Sequence, residues 1–191
     1  GTLGEILNEK SGHLNLGVEG MMMMGACGGF MAGYMSDSLL VALAAAFLAG
    51  LLGALIYAVL TITFMADQNV TGLTLTIFGS GISNFFGEYT LVSSETTSLK
   101  LPENITMQLK NLNIAGLSDI PVIGRLLFQY DPFVYLGIAT AILCGLYLNR
   151  TKAGLNLRAI GENPAAADAA GIKVTKLKYL NVLLGGGICG I

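Results

Sequence analysis

Charged residues are scarce in this chain: they make up 12% of its 191 residues, whereas hydrophobic residues make up 53%. Soluble globular domains carry roughly 25% charged residues. The charges sum to −2, and the few basic residues are concentrated in one segment, so the chain lacks the basic surface that nucleic-acid binding requires. This scarcity favours a protein whose surroundings are lipid, and we expect no nucleic-acid partner.

The residue types that build catalytic and metal centres are equally few. The chain has one histidine, His13, and three cysteines that show neither CxxC nor Cys/His spacing. It has no HExxH or GxSxG motif, and no GxxxxGK[ST] loop that would bind ATP. We therefore expect no catalytic residue, no metal site and no cofactor, and an intramembrane enzyme is the disfavoured alternative.

Long apolar blocks are what the sequence has instead. Each is long enough to cross a hydrocarbon core about 30 Å thick, which takes roughly 20 residues of helix. Strands of a barrel would alternate apolar and polar residues, whereas residues 39–64 are apolar at consecutive positions. The sequence predicts an all-α integral membrane protein, a polytopic helical bundle with one transmembrane domain over 1–191. At least five spans are expected, at 14–35, 39–64, 69–87, 132–149 and 179–191.

The basic residues predict the orientation of the spans. Six of them lie in the segment 150–178, which we expect to be cytoplasmic because basic residues in short loops favour that side: Arg150, Lys152, Arg158, Lys173, Lys176 and Lys178. The segment 88–131 is polar and poor in basic residues, and is predicted to be a long external loop.

Small residues recur every four positions on the first two predicted spans. Gly25, Gly29 and Gly33 do so on the first, and a longer series does so on the second: Ala42, Ala46, Gly50, Ala54 and Ala58. Small residues let membrane helices approach closely, so both series predict packing surfaces. The GxGxxG pattern at residues 185–190 is interpreted in the same way, because no strand precedes it.

Polar residues in two of the spans are candidates for a substrate pathway: Asn15, Glu19, Asn69, Thr76, Ser80 and Ser83. Uncharged amides and hydroxyls can hydrogen-bond a neutral polyhydroxyl solute at a lower desolvation cost than ionised groups. The alternative is that these groups bond neighbouring helices or their own backbone. Glu19 lies close enough to a span end to reach the headgroup region, and nearby glycines permit a broken helix.

A short helix is predicted within the cytoplasmic segment. Asn163 caps it, Pro164 occupies its first position, alanines propagate it and Gly171 closes it. Isolated helices shorter than about 12–15 residues are marginal in water, so docking against a partner is expected to hold it. The candidate docking residues are Asn163, Pro164, Ala165, Ala166, Ala167, Asp168, Ala169, Ala170 and Gly171. The alternative is a loop helix packed on its own membrane domain.

Four runs of residues resemble the nucleoside and simple-sugar permeases of the ABC importers, which belong with the ribose and branched-chain amino acid permeases. They are EKSG at 9–12, NLGVEGMM at 15–22, NVTGL at 69–73 and RAIGENPAAADAAGI at 158–172. The resemblance implies that residues 163–171 form the coupling helix that seats in an ABC ATPase subunit. It also implies that this chain does not hydrolyse ATP itself.

The same resemblance implies the other partners and the location. These are a second permease subunit, identical or related, an extracytoplasmic solute-binding protein, a nucleoside or sugar substrate, and the lipid of a bacterial or archaeal cytoplasmic membrane. The proteins it resembles are longer, so a truncated permease is expected. A ribose-type sugar permease, another small-solute permease of that superfamily and a non-ABC channel for polar solutes remain alternatives.

Overall fold

The structure is a computed structural model that describes residues 1–93, 102–108 and 130–191. All regular elements in these ranges are helical, which confirms the all-α class. They are α1 (Thr2–Lys10), α2 (Val18–Ser36), α3 (Leu39–Ala58, continued by a π-helical turn Val59–Thr63), α4 (Gln68–Ser93), α5 (Glu103–Gln108), α6 (Pro132–Arg150), α7 (Lys152–Glu162), α8 (Pro164–Ala169) and α9 (Val174–Gly190).

Helices α2, α3 and α9 form the centre of the bundle, with α4 against α2 and α1 against α9. Glycines bring the backbones together: a Cβ added to Gly50 of α3 would lie 2.8 Å from the Cα of Gly190 in α9. Gly25 of α2 meets the same residue, and Gly29 meets Ala46 of α3. The packing surfaces predicted from the small residues are therefore confirmed, including the interpretation of the glycines near the end of the chain.

The contact between α2 and α4 corrects one expectation about α4. The polar residues along 69–87 predict that the opposite face of this helix, which carries Leu75, is lipid-compatible, but Leu75 is 3% exposed and packs with Met21 and Tyr57 in the core. The reason is a pair of glycines, since a Cβ added to Gly79 would lie 2.5 Å from the carbonyl oxygen of Gly20. This close approach turns the face that carries Leu75 inward.

Two of the helices in the described ranges are long and apolar enough to cross a membrane. They are Leu39–Thr63 and Pro132–Arg150, which coincide with the predicted spans 39–64 and 132–149. The other three spans, and the total of at least five, stay predictions. Their helices differ in extent, because α2 begins at Val18 rather than at residue 14, α4 continues to Ser93, and α9 begins at Val174.

The predicted external loop 88–131 lies largely outside the described residues. Within it, α5 is attached to the end of α2, because Asn104 Nδ2 donates a hydrogen bond of 2.7 Å to Asp37 Oδ2. The side chain of Ile105 is buried there. Since α2 rises about 1.5 Å per residue, α5 lies roughly 28 Å from the end where α2 begins.

Candidate functional site

A break at residues 11–17 separates α1 from α2 and forms the centre of the candidate site. Gly12 has φ +82°, a conformation that other residues rarely adopt, and Ser11 Oγ donates a hydrogen bond of 2.7 Å to the carbonyl of Asn8. Sequence glycines permitted a broken helix here, and the structure has one. The ends of broken helices bind substrates and ions in secondary transporters, so the break is a candidate point of solute binding.

Asn15 holds the break together. Its side chain is 2% exposed. Its backbone N–H donates to Glu5 Oε1 at 2.9 Å, its Oδ1 accepts from the N–H of Gly17 at 3.0 Å, and its Nδ2 points at Met21 Sδ at 3.5 Å. These polar atoms have partners within the chain, which favours a structural role for Asn15.

The backbone of the break is also fixed by helices α3 and α4. The hydroxyl of Tyr57 donates to the carbonyl of Leu14 at 2.7 Å, and Thr76 Oγ1 donates to the carbonyl of Leu16 at 3.1 Å. From the other direction, the N–H of Leu14 donates to Gln68 Oε1 at 2.9 Å. A movement of the break would therefore displace or break its hydrogen bonds to both helices.

An open cavity of about 550 Å³ lies between α1 and the start of α2. Asn15 and the exposed Glu19 line it, as predicted residues, together with Glu5 and Glu9, which sequence reasoning missed. Burial raises the pKa of Glu5, while the hydrogen bond from the backbone of Asn15 opposes that rise. The spacing of Glu5 and Glu9, one helical turn apart, could have placed both carboxylates on one face, but the apolar pattern predicts no helix at these residues.

His13 lies in the break, next in sequence to the cavity-lining Leu14, and is buried. Burial, together with the positive charge of Lys178, lowers its pKa from 6.5 to about 4, so the ring is neutral at pH 7. Its Nδ1 lies 3.4 Å from Ser11 Oγ. The histidine therefore belongs to the packing of the break and is placed to respond to acid.

The remaining candidates on α4 are distributed along the helix. Asn69 is exposed at its start, whereas Ser80 is half-buried and donates to the carbonyl of Ile77 at 2.9 Å. Ser83 is half-buried, and its buried hydroxyl has no hydrogen-bond partner among the described residues. Since 14 residues of helix span roughly 21 Å, these side chains and the break do not form one compact cluster. The polar side chains form a row along the length of α4.

The short helix predicted near residue 163 is present as α8. Asn163 Oδ1 accepts a hydrogen bond of 3.0 Å from the N–H of Ala166, Pro164 occupies the first position, and Gly171 follows the end with φ +82°. The side chain of Ala167 is buried at 4% exposure, whereas the other residues from Asn163 to Gly171 are exposed. Most of the helix is therefore free to contact a partner.

Helix α7 precedes α8 and was missed by sequence reasoning. Leu157 and Ile160 are buried on one face, and Gly154 lies against the backbone of α6 at Leu148. Thr151 caps the helix by accepting from the N–H of Gly154 at 3.0 Å. The spacing of Leu157 and Ile160, with that threonine ahead of them, was the signal that could have found it.

Comparison with known proteins gives a consistent result. The model of the family described as branched-chain amino acid transport system / permease component matches residues 2–191. A guanosine ABC transporter permease of Bacillus subtilis is 34% identical over 99% of this chain and 60% of its own length. A nucleoside ABC transporter permease of Lactococcus lactis is 33% identical over 100% of the chain and 60% of its own length.

A third relative, from the archaeon Haloferax volcanii, carries the provisional name of a glucose ABC transporter permease. It is 33% identical over 98% of this chain and 55% of its own length. The chain thus spans between 55% and 60% of the length of these three relatives. No solved structure matches it.

Proposed function

This chain belongs to the family of permease components of branched-chain amino acid transport systems, and we propose that it is part of the membrane-spanning subunit of an ATP-driven ABC importer for nucleosides or simple sugars. The observation that carries the proposal is the family match over residues 2–191, within which the run at 158–172 forms the end of α7 and the exposed helix α8. ATP hydrolysis would reside on a separate subunit that receives this helix.

The partners follow from the two ends of the bundle. The ATPase subunit would bind α8 on the cytoplasmic side, and a solute-binding protein would bind the opposite side, where α5 is attached to Asp37. A second permease subunit, identical or related, would complete the pathway. The location would be the cytoplasmic membrane of a bacterium or an archaeon, as the organisms of the three relatives suggest.

The solute pathway would follow the break and α4. Glu19 faces the open cavity, while Asn69, Thr76, Ser80 and Ser83 lie along the neighbouring helix. Uncharged hydroxyls and amides suit a neutral polyhydroxyl compound, which describes both a nucleoside and a sugar. The relatives' names include both classes, and we place nucleosides first because the runs at 15–22 and 69–73 resemble that branch.

Uptake by the intact transporter tests the proposal. The full-length permease would be reconstituted in liposomes with its ATPase and binding protein. Uptake of labelled guanosine, uridine, ribose and glucose would be measured, each with the other three as competitors. We expect ATP-dependent uptake that a nucleoside or a sugar suppresses. An ATPase variant unable to hydrolyse ATP is the control. Uptake that continues without hydrolysis would favour a channel, and hydrolysis without uptake of any of these solutes would contradict the proposed substrate classes.

A further inference from the structure

The C-terminal end of α7 touches the break between α1 and α2 through glycine. A Cβ added to Gly161 would lie 2.5 Å from the carbonyl oxygen of Lys10 and 3.5 Å from the N–H nitrogen of Gly12. Conversely, a Cβ added to Gly12 would lie 3.4 Å from the Cα of Gly161. The two backbones are thus in direct contact, with no side chain between them.

This contact lies immediately before α8 in the chain. Gly161 is separated from Asn163, which ends α7 and caps α8, by Glu162 alone. Helix α7 is held firmly, because Leu157 and Ile160 are fully buried and Gly154 packs against the backbone of α6. A displacement of α8 would therefore be passed into α7 rather than absorbed in a loop.

The connection from α8 to α9 is less closely packed than the connection from α7 to α8. Gly171 connects α8 to α9 with φ +82°, and a Cβ added there would meet nothing within 4 Å. Close packing on one side and open space on the other make α7 the stiffer of the two connections. Force applied to α8 would travel preferentially through Gly161.

On the far side of the contact, the break leads directly to the candidate pathway. The break includes Asn15, which is bonded to Glu5 and Gly17, and Leu16, whose carbonyl accepts a hydrogen bond from Thr76 of α4. Movement at Gly12 would thus reach both walls of the cavity that contains Glu19.

We propose that the contact between Gly161 and residues 10–12 is the joint through which a movement of α8 is transmitted to the break between α1 and α2. This inference rests on the proposed docking of α8 to an ATPase subunit. Gly161 is a positioning residue in this scheme, because it does not line the cavity with Glu19 and acts through the backbone of the break.

The test compares Gly161→Ala with Gly145→Ala in the reconstituted, full-length transporter. Gly145 is the matched control, because it is also a helical glycine but a Cβ there would meet nothing within 4 Å. ATP hydrolysis and solute uptake are measured in the same liposomes. We expect Gly161→Ala to lower uptake at least tenfold while hydrolysis stays within twofold of the parent, and Gly145→Ala to change neither by more than twofold.

Two results would overturn the joint. One is uptake by Gly161→Ala within twofold of the parent, and the other is a parallel loss of uptake and hydrolysis, which would place the defect in docking. If that variant fails to assemble, Gly12→Asn adds bulk from the other side of the contact and is judged by the same criteria, because asparagine tolerates the positive φ of this position better than alanine does. A parent transporter that hydrolyses ATP but moves none of the solutes would sink the proposed substrate classes instead, so the two failures are distinguishable.

Discussion

Two glycines on α4 should respond in opposite ways to the same substitution. Gly79 faces α2, where an added Cβ would lie 2.5 Å from the carbonyl oxygen and 2.7 Å from the Cα of Gly20. Gly81, two residues further along, has nothing within 4 Å of its added Cβ. Replacing glycine by alanine within a helix gains about 0.8–1 kcal/mol of intrinsic propensity. Packing therefore decides the sign of the stability change at Gly79, whereas helix propensity decides it at Gly81.

The cost at Gly79 follows from what the new methyl group would meet. All three of its nearest atoms belong to the backbone of Gly20, so no side chain can rotate away and α2 must separate from α4. That separation would also strain the hydrogen bond from Thr76 to Leu16. Overpacking of this kind typically costs about 1–3 kcal/mol. Because the obstructing atoms are backbone, the upper part of that range applies, about 2–3 kcal/mol. We expect Gly79→Ala to be destabilising by about 1–2 kcal/mol after a propensity gain of about 1 kcal/mol is subtracted.

The assay is the melting midpoint of the detergent-solubilised protein, followed by size-exclusion chromatography after heating. For a chain of this size about 1 kcal/mol corresponds to roughly 2–4 °C. Gly79→Ala should lower the midpoint by several degrees, while Gly81→Ala should leave it unchanged or raise it. A shift of both variants in the same direction would refute the close contact between α2 and α4.

Three further predictions concern the break and the docking helix. Tyr57→Phe removes the donor to the carbonyl of Leu14 and should lower stability by about 1–3 kcal/mol, measured by the same melting assay, whereas Tyr34→Phe, at a half-exposed ring, should have little effect. Because the pKa of His13 is lowered from 6.5 to about 4, the folded state binds fewer protons than the unfolded state between these values. Stability should therefore be full above pH 6.5 and decline towards pH 4, and His13→Asn should flatten that decline in melts recorded across the range. A decline that persists unchanged in the variant would rule out this histidine as its source. Asn163→Ala removes the cap of α8, worth about 0.5–2 kcal/mol, and should weaken binding of the ATPase subunit in a titration, while Asn163→Ser retains a capping oxygen and should bind like the parent. Equal binding by both variants would contradict the role of the cap.

Local signals were sufficient to predict α8. A capping asparagine, a proline at the first position and a closing glycine act within a few residues of one another, so Asn163, Pro164 and Gly171 fix its ends without help from the rest of the fold. The small-residue series on α2 and α3 was informative for a similar reason. Close packing of membrane helices depends on small residues that recur at helical spacing, and this recurrence is visible in the sequence.

Tertiary contacts decided what the sequence could not predict. The burial of Leu75 depends on the approach of Gly20 to Gly79, and these residues are far apart in the chain. The hydrogen bond from the backbone of Asn15 to Glu5 is a second case, because Glu5 lies on a helix that the apolar pattern did not reveal. The burial of Ala167 is a third case, since an alanine-rich segment gives no indication of which methyl faces the protein.

Cross-linking shows whether α8 contacts the ATPase subunit. Cysteine would be placed at Ala166, which is exposed, and at Ala167, which is buried, in a transporter whose native cysteines have been replaced. We expect Ala166→Cys to form an adduct with the ATPase in at least one nucleotide state, and Ala167→Cys to form little or none. No adduct from position 166 in any nucleotide state would contradict the proposed docking of α8.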